Sequence, residues 1–172
     1  MLPTGKEYKH SDEVVDIDAK LEEVKRNVAE VELRAKGSKK EVKALEMLQA
    51  EHKRLINLRR ERVLAVRQRH KIKVEGGPEE AVPDPVESFA AMQKLYGFTD
   101  VFMRRLKEND IVEPTAVQVQ GVPLLYAKKS AIILAETGSG KSLAFVAPLL
   151  HMYKHGDGLK VIVLAPTREL TI

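Results

Sequence analysis

The sequence predicts an α/β protein: the N-terminal portion of a domain built on a parallel sheet, preceded by a charged α-helical extension. Three observations carry this. Residues 11–73 are rich in Glu, Lys, Arg and Leu and contain no proline. Residues 76–85 turn loop-like, with Gly76, Gly77, Pro78, Pro83 and Pro85. Beyond Phe89, short apolar runs alternate with helical patterns, as in a parallel sheet joined by crossover helices. The chain therefore divides into an extension (1–75), a Gly/Pro-rich linker (76–88) and the α/β part (89–172).

In the extension, Val14, Ile17, Leu21, Val24, Val28, Val31 and Ala35 recur at alternating steps of three and four, a heptad seam. Gly37 can take the left-handed conformation that ends a helix. Ser38 with Glu41 forms a capping box that opens a second helix. That helix carries Val42, Leu45, Leu48, Leu55, Leu58, Val63 and Val66, a looser stripe interrupted by His52 and Arg62. Residues 12–35 hold eight acids and four bases, and residues 36–73 hold four acids and thirteen bases. Opposite charge on adjacent helices suggests an antiparallel hairpin. A solvated charged coil is the alternative.

After the linker, residues 92–108 read as one or two short helices broken near Tyr96-Gly97-Phe98-Thr99, and Thr115 to Gln120 can open the next. The compact apolar run 130–135 suits a buried parallel strand, 142–151 a helix, and 160–165 a second buried strand.

Between the first strand and its helix lies Ala135-Glu136-Thr137-Gly138-Ser139-Gly140-Lys141-Ser142, a phosphate-binding loop in the context that motif requires. Gly138 and Gly140 let backbone amides turn toward one anion, and the helix dipole adds to their field. Lys141 would reach the β- and γ-phosphates, and the Ser142 hydroxyl would ligate Mg²⁺. These two are the candidate catalytic residues. A glycine turn without a ligand would not need Lys-Ser after its last glycine. Upstream, Gln118 offers an acceptor and a donor that match adenine N6 and N7, whereas guanine would leave one partner unpaired. Phe89 could stack on a base.

Phe89 with Pro114-Thr115-x-x-Gln118 resembles the Q motif of DEAD-box RNA helicases. Residues 135–142 resemble their motif I, and Pro166-Thr167-Arg168-Glu169-Leu170 their motif Ia. His70-Lys71-Ile72-Lys73-Val74 and Val82-Pro83-Asp84-Pro85 look like the pre-core segment of the Rok-type subfamily. The resemblance covers residues 70–172 and implies a RecA-like P-loop domain. It further implies an RNA-dependent ATPase that separates short duplexes in small ribosomal subunit assembly, in the nucleolus. Its partners would be pre-ribosomal RNA and ribosome-assembly proteins, and its cofactors ATP and Mg²⁺. Phe89, Thr115 and Gln118 would bind adenine, and Thr137, Gly138, Ser139, Gly140, Lys141 and Ser142 the phosphates and Mg²⁺. Thr167 and Arg168 would contact the RNA backbone, a guanidinium pairing bidentately with phosphate; the plain alternative is a surface salt bridge from Arg168 to Glu169.

Some positions depart from the family pattern. Asp110 stands where Gly is usual, Ala116 where Pro is frequent, and Ser142 where Thr is usual. The chain ends at Ile172, before a D-E-A-D tetrad, an S-A-T motif or a second domain that would supply an arginine finger. The expectation is that this polypeptide alone does not turn over.

Composition bounds the remaining classes. Without cysteine, disulfides and thiolate metal sites are excluded. The longest apolar stretch, 143–150, is far short of the ~18 residues of a membrane span, and the first twenty residues are too charged for a signal peptide. A soluble, intracellular protein is expected. The net charge of +4 is a weak signal for polyanions. Thirteen bases along residues 36–73 support a second reading, a non-catalytic RNA-binding or assembly adaptor.

Overall fold

The computed structural model describes residues 9–34, 39–76, 82–153 and 158–166. The elements are α1 (Lys9–Arg34), α2 (Lys39–Arg69), α3 (Phe89–Tyr96), α4 (Asp100–Glu108), α5 (Ala116–Tyr126) and α6 (Lys141–Met152).

The first two helices pack along each other. Ile17 and Leu21 of α1 are buried with Leu55 of α2, flanked by Val24 and Leu58. Asp18 meets Arg59 at 3.1 Å while Glu22 feels the charge of His52, so advancing along α1 retreats along α2 and the pair is antiparallel. Each buried aliphatic side chain contributes roughly 1.5–3 kcal/mol. The apolar seam therefore holds the hairpin, since exposed pairs such as Lys25 with Glu22 are screened by solvent and join residues of one helix.

Farther along α2, Val63, Val66 and Arg67 are buried. Arg59 donates to Asp84 at 2.6 Å, and Arg69 and His70 both reach Glu87 Oε1, at 2.8 and 2.9 Å. The described part of the linker, residues 82–88, thus follows the end of α2 closely. It also docks on α5, where the Val86 N–H donates to the Val119 carbonyl at 2.9 Å. Pro123 explains why that carbonyl is open. Four residues on in the helix, it has no N–H to give.

A second core gathers α3, α4, α5 and α6. Val86, Phe89, Ala91, Met92, Phe98, Leu106, Val122 and Ala147 are buried together. Ser88 caps α3 by accepting from the Ala91 N–H at 3.0 Å, and Thr99 caps α4 by accepting from Phe102. Between them Gly97 takes φ +71°, so the break read at Tyr96–Thr99 is where α3 ends and α4 begins. His151 of α6 sits between the rings of Phe98 and Phe102, its Nε2 accepting from the Thr99 N–H at 3.2 Å. Helix α4 closes with Asp110 at φ +58°, the Ile111 N–H returning to the Leu106 carbonyl and the Asp110 N–H to that of Lys107. This is the Schellman geometry that favours glycine at the left-handed position. The departure to Asp110 noted in the sequence falls on it.

The expectation of a parallel sheet is overturned. Among the described residues there is no strand: the runs 130–135 and 160–165 are irregular, and no backbone hydrogen bond joins them. Ile132, Leu134 and Leu164 are 90, 91 and 89 % exposed, the opposite of a buried strand. The physical reason is that an extended segment satisfies its N–H and C=O groups only through a paired neighbour. Apolar character alone does not supply that partner, and a short apolar run carries no periodicity that tells a strand from any other conformation. The described residues therefore form an all-helical structure rather than the α/β one expected from sequence.

Candidate functional site

Residues 135–140 form an open turn leading directly into α6. Ser139 N–H reaches back to the Glu136 carbonyl at 3.3 Å, and Gly138 and Gly140 take φ +79° and +84°. Gly140 is the N-cap of α6 and no side chain caps the helix. Its first amides, on Lys141, Ser142 and Leu143, are the donors a helix leaves without an internal partner. They face the loop at the positive end of the helix dipole, an arrangement that favours an anion.

Lys141 folds back over the turn, its Nζ donating to the Ala135 carbonyl at 2.8 Å and to that of Glu136. Ser142, at the second position of α6, is exposed, as are Thr137 and Gly138. The Ser139 hydroxyl is buried without a hydrogen-bond partner. A buried hydroxyl without a partner is uncommon and calls for a ligand or solvent. The loop, its uncapped helix and this unpaired hydroxyl fit a phosphate group. Among the described residues no group of three acidic or histidine side chains gathers to hold a metal. A cation here would depend on Ser142 and on the nucleotide's own phosphate oxygens.

Helix α5 supports the loop from behind. Its Gln118 is 2 % exposed. Gln118 Oε1 accepts from the Thr115 N–H at 3.1 Å, and Gln118 Nε2 donates to the Gly140 carbonyl at 3.2 Å. A Cβ on Gly140 would run into Gln118 Nε2 and come within 3.1 Å of Thr115 Oγ1. The left-handed φ favours glycine there, and a Cβ would also force the Gln118 side chain to shift. One turn on, a Cβ on Gly121 would lie 3.2 Å from Ile133 Cδ1 and 3.4 Å from the Ala144 methyl, so α5 packs closely there against both Ile133 and α6.

The structure thus brings Thr115, Gln118, Gly140 and Lys141 together, with Thr137, Gly138, Ser139 and Ser142 in the same turn. Gln118 appears as a strut between α5 and the loop, its amide directed inward. Phe89 stands apart. It is 4 % exposed within the second core and forms part of the wall of a cavity of about 610 Å³ bordered by Arg69, Glu87, Arg104 and Pro114. None of residues 135–142 lines that cavity. The strand expected before the loop is irregular, so the loop is held from the α5 and α6 side. Thr167 and Arg168 lie outside the described residues. Sequence reasoning missed Gln120 and Arg67, both 6 % exposed and hydrogen-bonded to each other. Arg67 looks in sequence like the other bases of α2, and Gln120 had no motif to single it out although α5 is otherwise almost wholly apolar.

Residues 115–172 match the family model described as DEAD/DEAH box helicase. The chain is 34 % identical over 139 residues to DEAD-box ATP-dependent RNA helicase 57 of Arabidopsis thaliana, covering 80 % of this chain and 25 % of that protein. It is 41 % identical over 112 residues to DEAD-box ATP-dependent RNA helicase 20 of the same plant, covering 62 and 21 %. With the probable ATP-dependent RNA helicase DDX52 of Mus musculus it shares 34 % over 119 residues, covering 68 and 19 %. The chain spans a quarter or less of the length of these curated relatives. The match takes in Thr115, Gln118 and the whole phosphate loop, the same residues that the structure draws together. The chain belongs to the DEAD/DEAH box helicase family.

Proposed function

We propose that these residues form the nucleotide-binding part of an RNA-dependent ATPase that separates short RNA duplexes. The observation that carries this reading is the uncapped N-terminus of α6 behind a left-handed glycine turn, with Lys141 over it and Gln118 holding Gly140. Phosphoryl transfer depends mainly on positioning and on stabilising charge. The loop amides and α6 would hold the phosphates. Lys141 would exchange its two loop carbonyls for phosphate oxygens, and Ser142 would share Mg²⁺ with the nucleotide. When bound, the metal neutralises charge on the phosphates. Adenine choice through Gln118 would use the lone pair and the N–H that Thr115 and Gly140 leave over. Phe89 is proposed to border the base from the core side, and Thr167 and Arg168 to contact the RNA backbone.

More narrowly, the pre-core resemblance around His70–Val74 and Val82–Pro85 supports a role in ribosomal RNA processing and small-subunit assembly, in the nucleolus. Pre-ribosomal RNA and assembly proteins would be the partners. Among the described residues no helix is long and apolar enough to cross a membrane.

Fluorescent ADP and GDP analogues titrated with Mg²⁺ test the site. Binding that prefers ADP and is lost in Lys141→Ala is expected. Equal binding in Lys141→Ala would refute the phosphate assignment. Equal affinity for the two bases would refute adenine selection by Gln118. Crosslinking of the protein to RNA in cells tests the narrower role, which fails if ribosomal precursors are not enriched.

A further inference from the structure

Helix α5 is held on two opposite faces. Successive helical residues turn by about 100°, so side chains two apart point away from each other. Gln118 reaches the Gly140 carbonyl of the phosphate loop. Two positions on, Gln120 faces the other way, where its Oε1 accepts from Arg67 Nε of α2 at 3.1 Å and its Nε2 donates to the Pro83 carbonyl at 2.8 Å. Both residues of this contact are 6 % exposed, so water does not substitute for either partner. The linker adds a third hold through Val86 N–H to the Val119 carbonyl, the acceptor released by Pro123. No residue of α2 reaches the loop in any of these contacts. Among these contacts of the described residues, the path from α2 to the loop runs through α5.

We infer that Arg67 and Gln120 are positioning residues for the phosphate loop, through which the N-terminal helices set the orientation of α5 and hence of Gly140. The inference rests on the nucleotide-binding reading above only for its affinity readout. A guanidinium is suited to this place, because it remains charged when buried and its fork directs an N–H along a fixed line. The consequence is that changes in the extension are felt at a nucleotide site it does not touch.

The test uses the 172-residue chain and two readouts: titration with a fluorescent ADP analogue in Mg²⁺, and amide hydrogen exchange of the peptide covering residues 136–146 without nucleotide. Arg67→Ala is expected to weaken ADP binding by about five- to tenfold, within the range of coupling between contacting residues. It should also speed exchange of the Gly140–Ser142 amides. Arg54→Ala removes an exposed ion pair with Glu51 within α2, which touches neither the linker nor α5, and should leave both readouts at the wild-type level. Arg67→Lys, which keeps a charged donor, should recover part of both. Where Arg67→Ala loses helicity, Gln120→Met keeps the side-chain volume, removes the acceptor and should give the same two losses. Wild-type loop exchange in Arg67→Ala or Gln120→Met overturns the inference, as does Arg54→Ala reproducing the losses. A wild-type chain that does not bind ADP would remove the nucleotide reading, and loop exchange alone would then decide the coupling.

Discussion

The segments flanking α6, residues 130–135 and 160–165, are far more apolar than the hairpin α1–α2, yet it is the hairpin that buries its apolar side chains. In the hairpin, Ile17, Leu21 and Leu55 are buried at 5, 4 and 8 % exposure. Around α6, Ile132, Leu134 and Leu164 are almost fully exposed. The difference lies in how each conformation satisfies its backbone. A helix closes its own hydrogen bonds and needs only one apolar face covered, which a single antiparallel neighbour supplies. An extended segment must find both its hydrogen bonds and its cover in other segments. Apolarity counts toward stability only where the backbone is already provided for.

The largest expected effect separates the two regions directly. Leu21→Ala should destabilise the hairpin by about 2–5 kcal/mol, the usual cost of truncating a buried leucine. Leu134→Ser, at a position 91 % exposed, should change stability by less than about 0.5 kcal/mol. Thermal melts followed by circular dichroism check both. If Leu134→Ser destabilises as much as Leu21→Ala, the run 130–135 is buried in solution and the contrast between the regions disappears.

The two glycines of the phosphate loop give the next effect. Gly138 and Gly140 share a left-handed φ, so alanine at either strains the backbone by roughly 1–2 kcal/mol. Only Gly140 has neighbours that an added Cβ would meet, Gln118 and Thr115. Gly140→Ala should therefore cost more stability than Gly138→Ala, and should displace the Gln118 side chain from the Gly140 carbonyl. Equal losses in the two variants would mean that α5 does not hold the loop.

These contrasts also show what the sequence could and could not reveal. The hairpin was legible because a three-four repeat persists over several turns, and only a helix uses that period. The two helices also differ in charge, with eight acids and four bases over residues 12–35 against four acids and thirteen bases over 36–73. The glycine turn before α6 stood out in the sequence because glycine, lysine and serine recur there at a fixed spacing. The strands were misread because residues 130–135 and 160–165 lack any period, and pairing is a property of neighbours the run does not encode. Gln118 was read for its free amide, whereas the structure directs that amide to Thr115 and Gly140. A hydrogen-bond partner 22 residues away cannot be inferred from one side chain. Phe89 was read as a base-stacking ring, but as the first residue of α3 it turns into the core.

A smaller effect follows from Asp110. It holds φ +58° at the end of α4, a conformation that costs a residue with a Cβ more than it costs glycine. Aspartate is among the side chains that tolerate it best. Asp110→Gly should raise stability by about 0.5–1 kcal/mol, with the Leu106 and Ile111 contact unchanged. A lower melting temperature in this variant would show that the carboxylate has a stabilising role that outweighs its backbone strain.

The smallest effect tests whether charge or the apolar seam holds the hairpin. Arg59 is shared between two carboxylates, at 3.1 Å from Asp18 and 2.6 Å from Asp84. Burial pushes the Asp18 carboxyl above its ordinary value of 3.8, and repulsion from Asp84 and Glu22 adds to the rise; the attraction of Arg59 opposes it without cancelling it. A folded state with the higher pKa binds the proton more tightly than the unfolded chain. Asp18 thus contributes stability below pH 3.8 that is lost as the pH rises through its folded value. At neutral pH it is an ionised, half-buried group whose partner is already engaged by Asp84. Asp18→Asn keeps an oxygen for Arg59 and removes the charge. It should leave stability at pH 7 unchanged or higher by no more than about 1 kcal/mol, discounted by the partial exposure of the pair. Any gain should vanish on acidification through the carboxylate range, where the wild-type side chain is itself neutral. A loss of more than about 1 kcal/mol at pH 7 that disappears at low pH would make the ion pair, rather than Ile17, Leu21 and Leu55, the principal bond between α1 and α2.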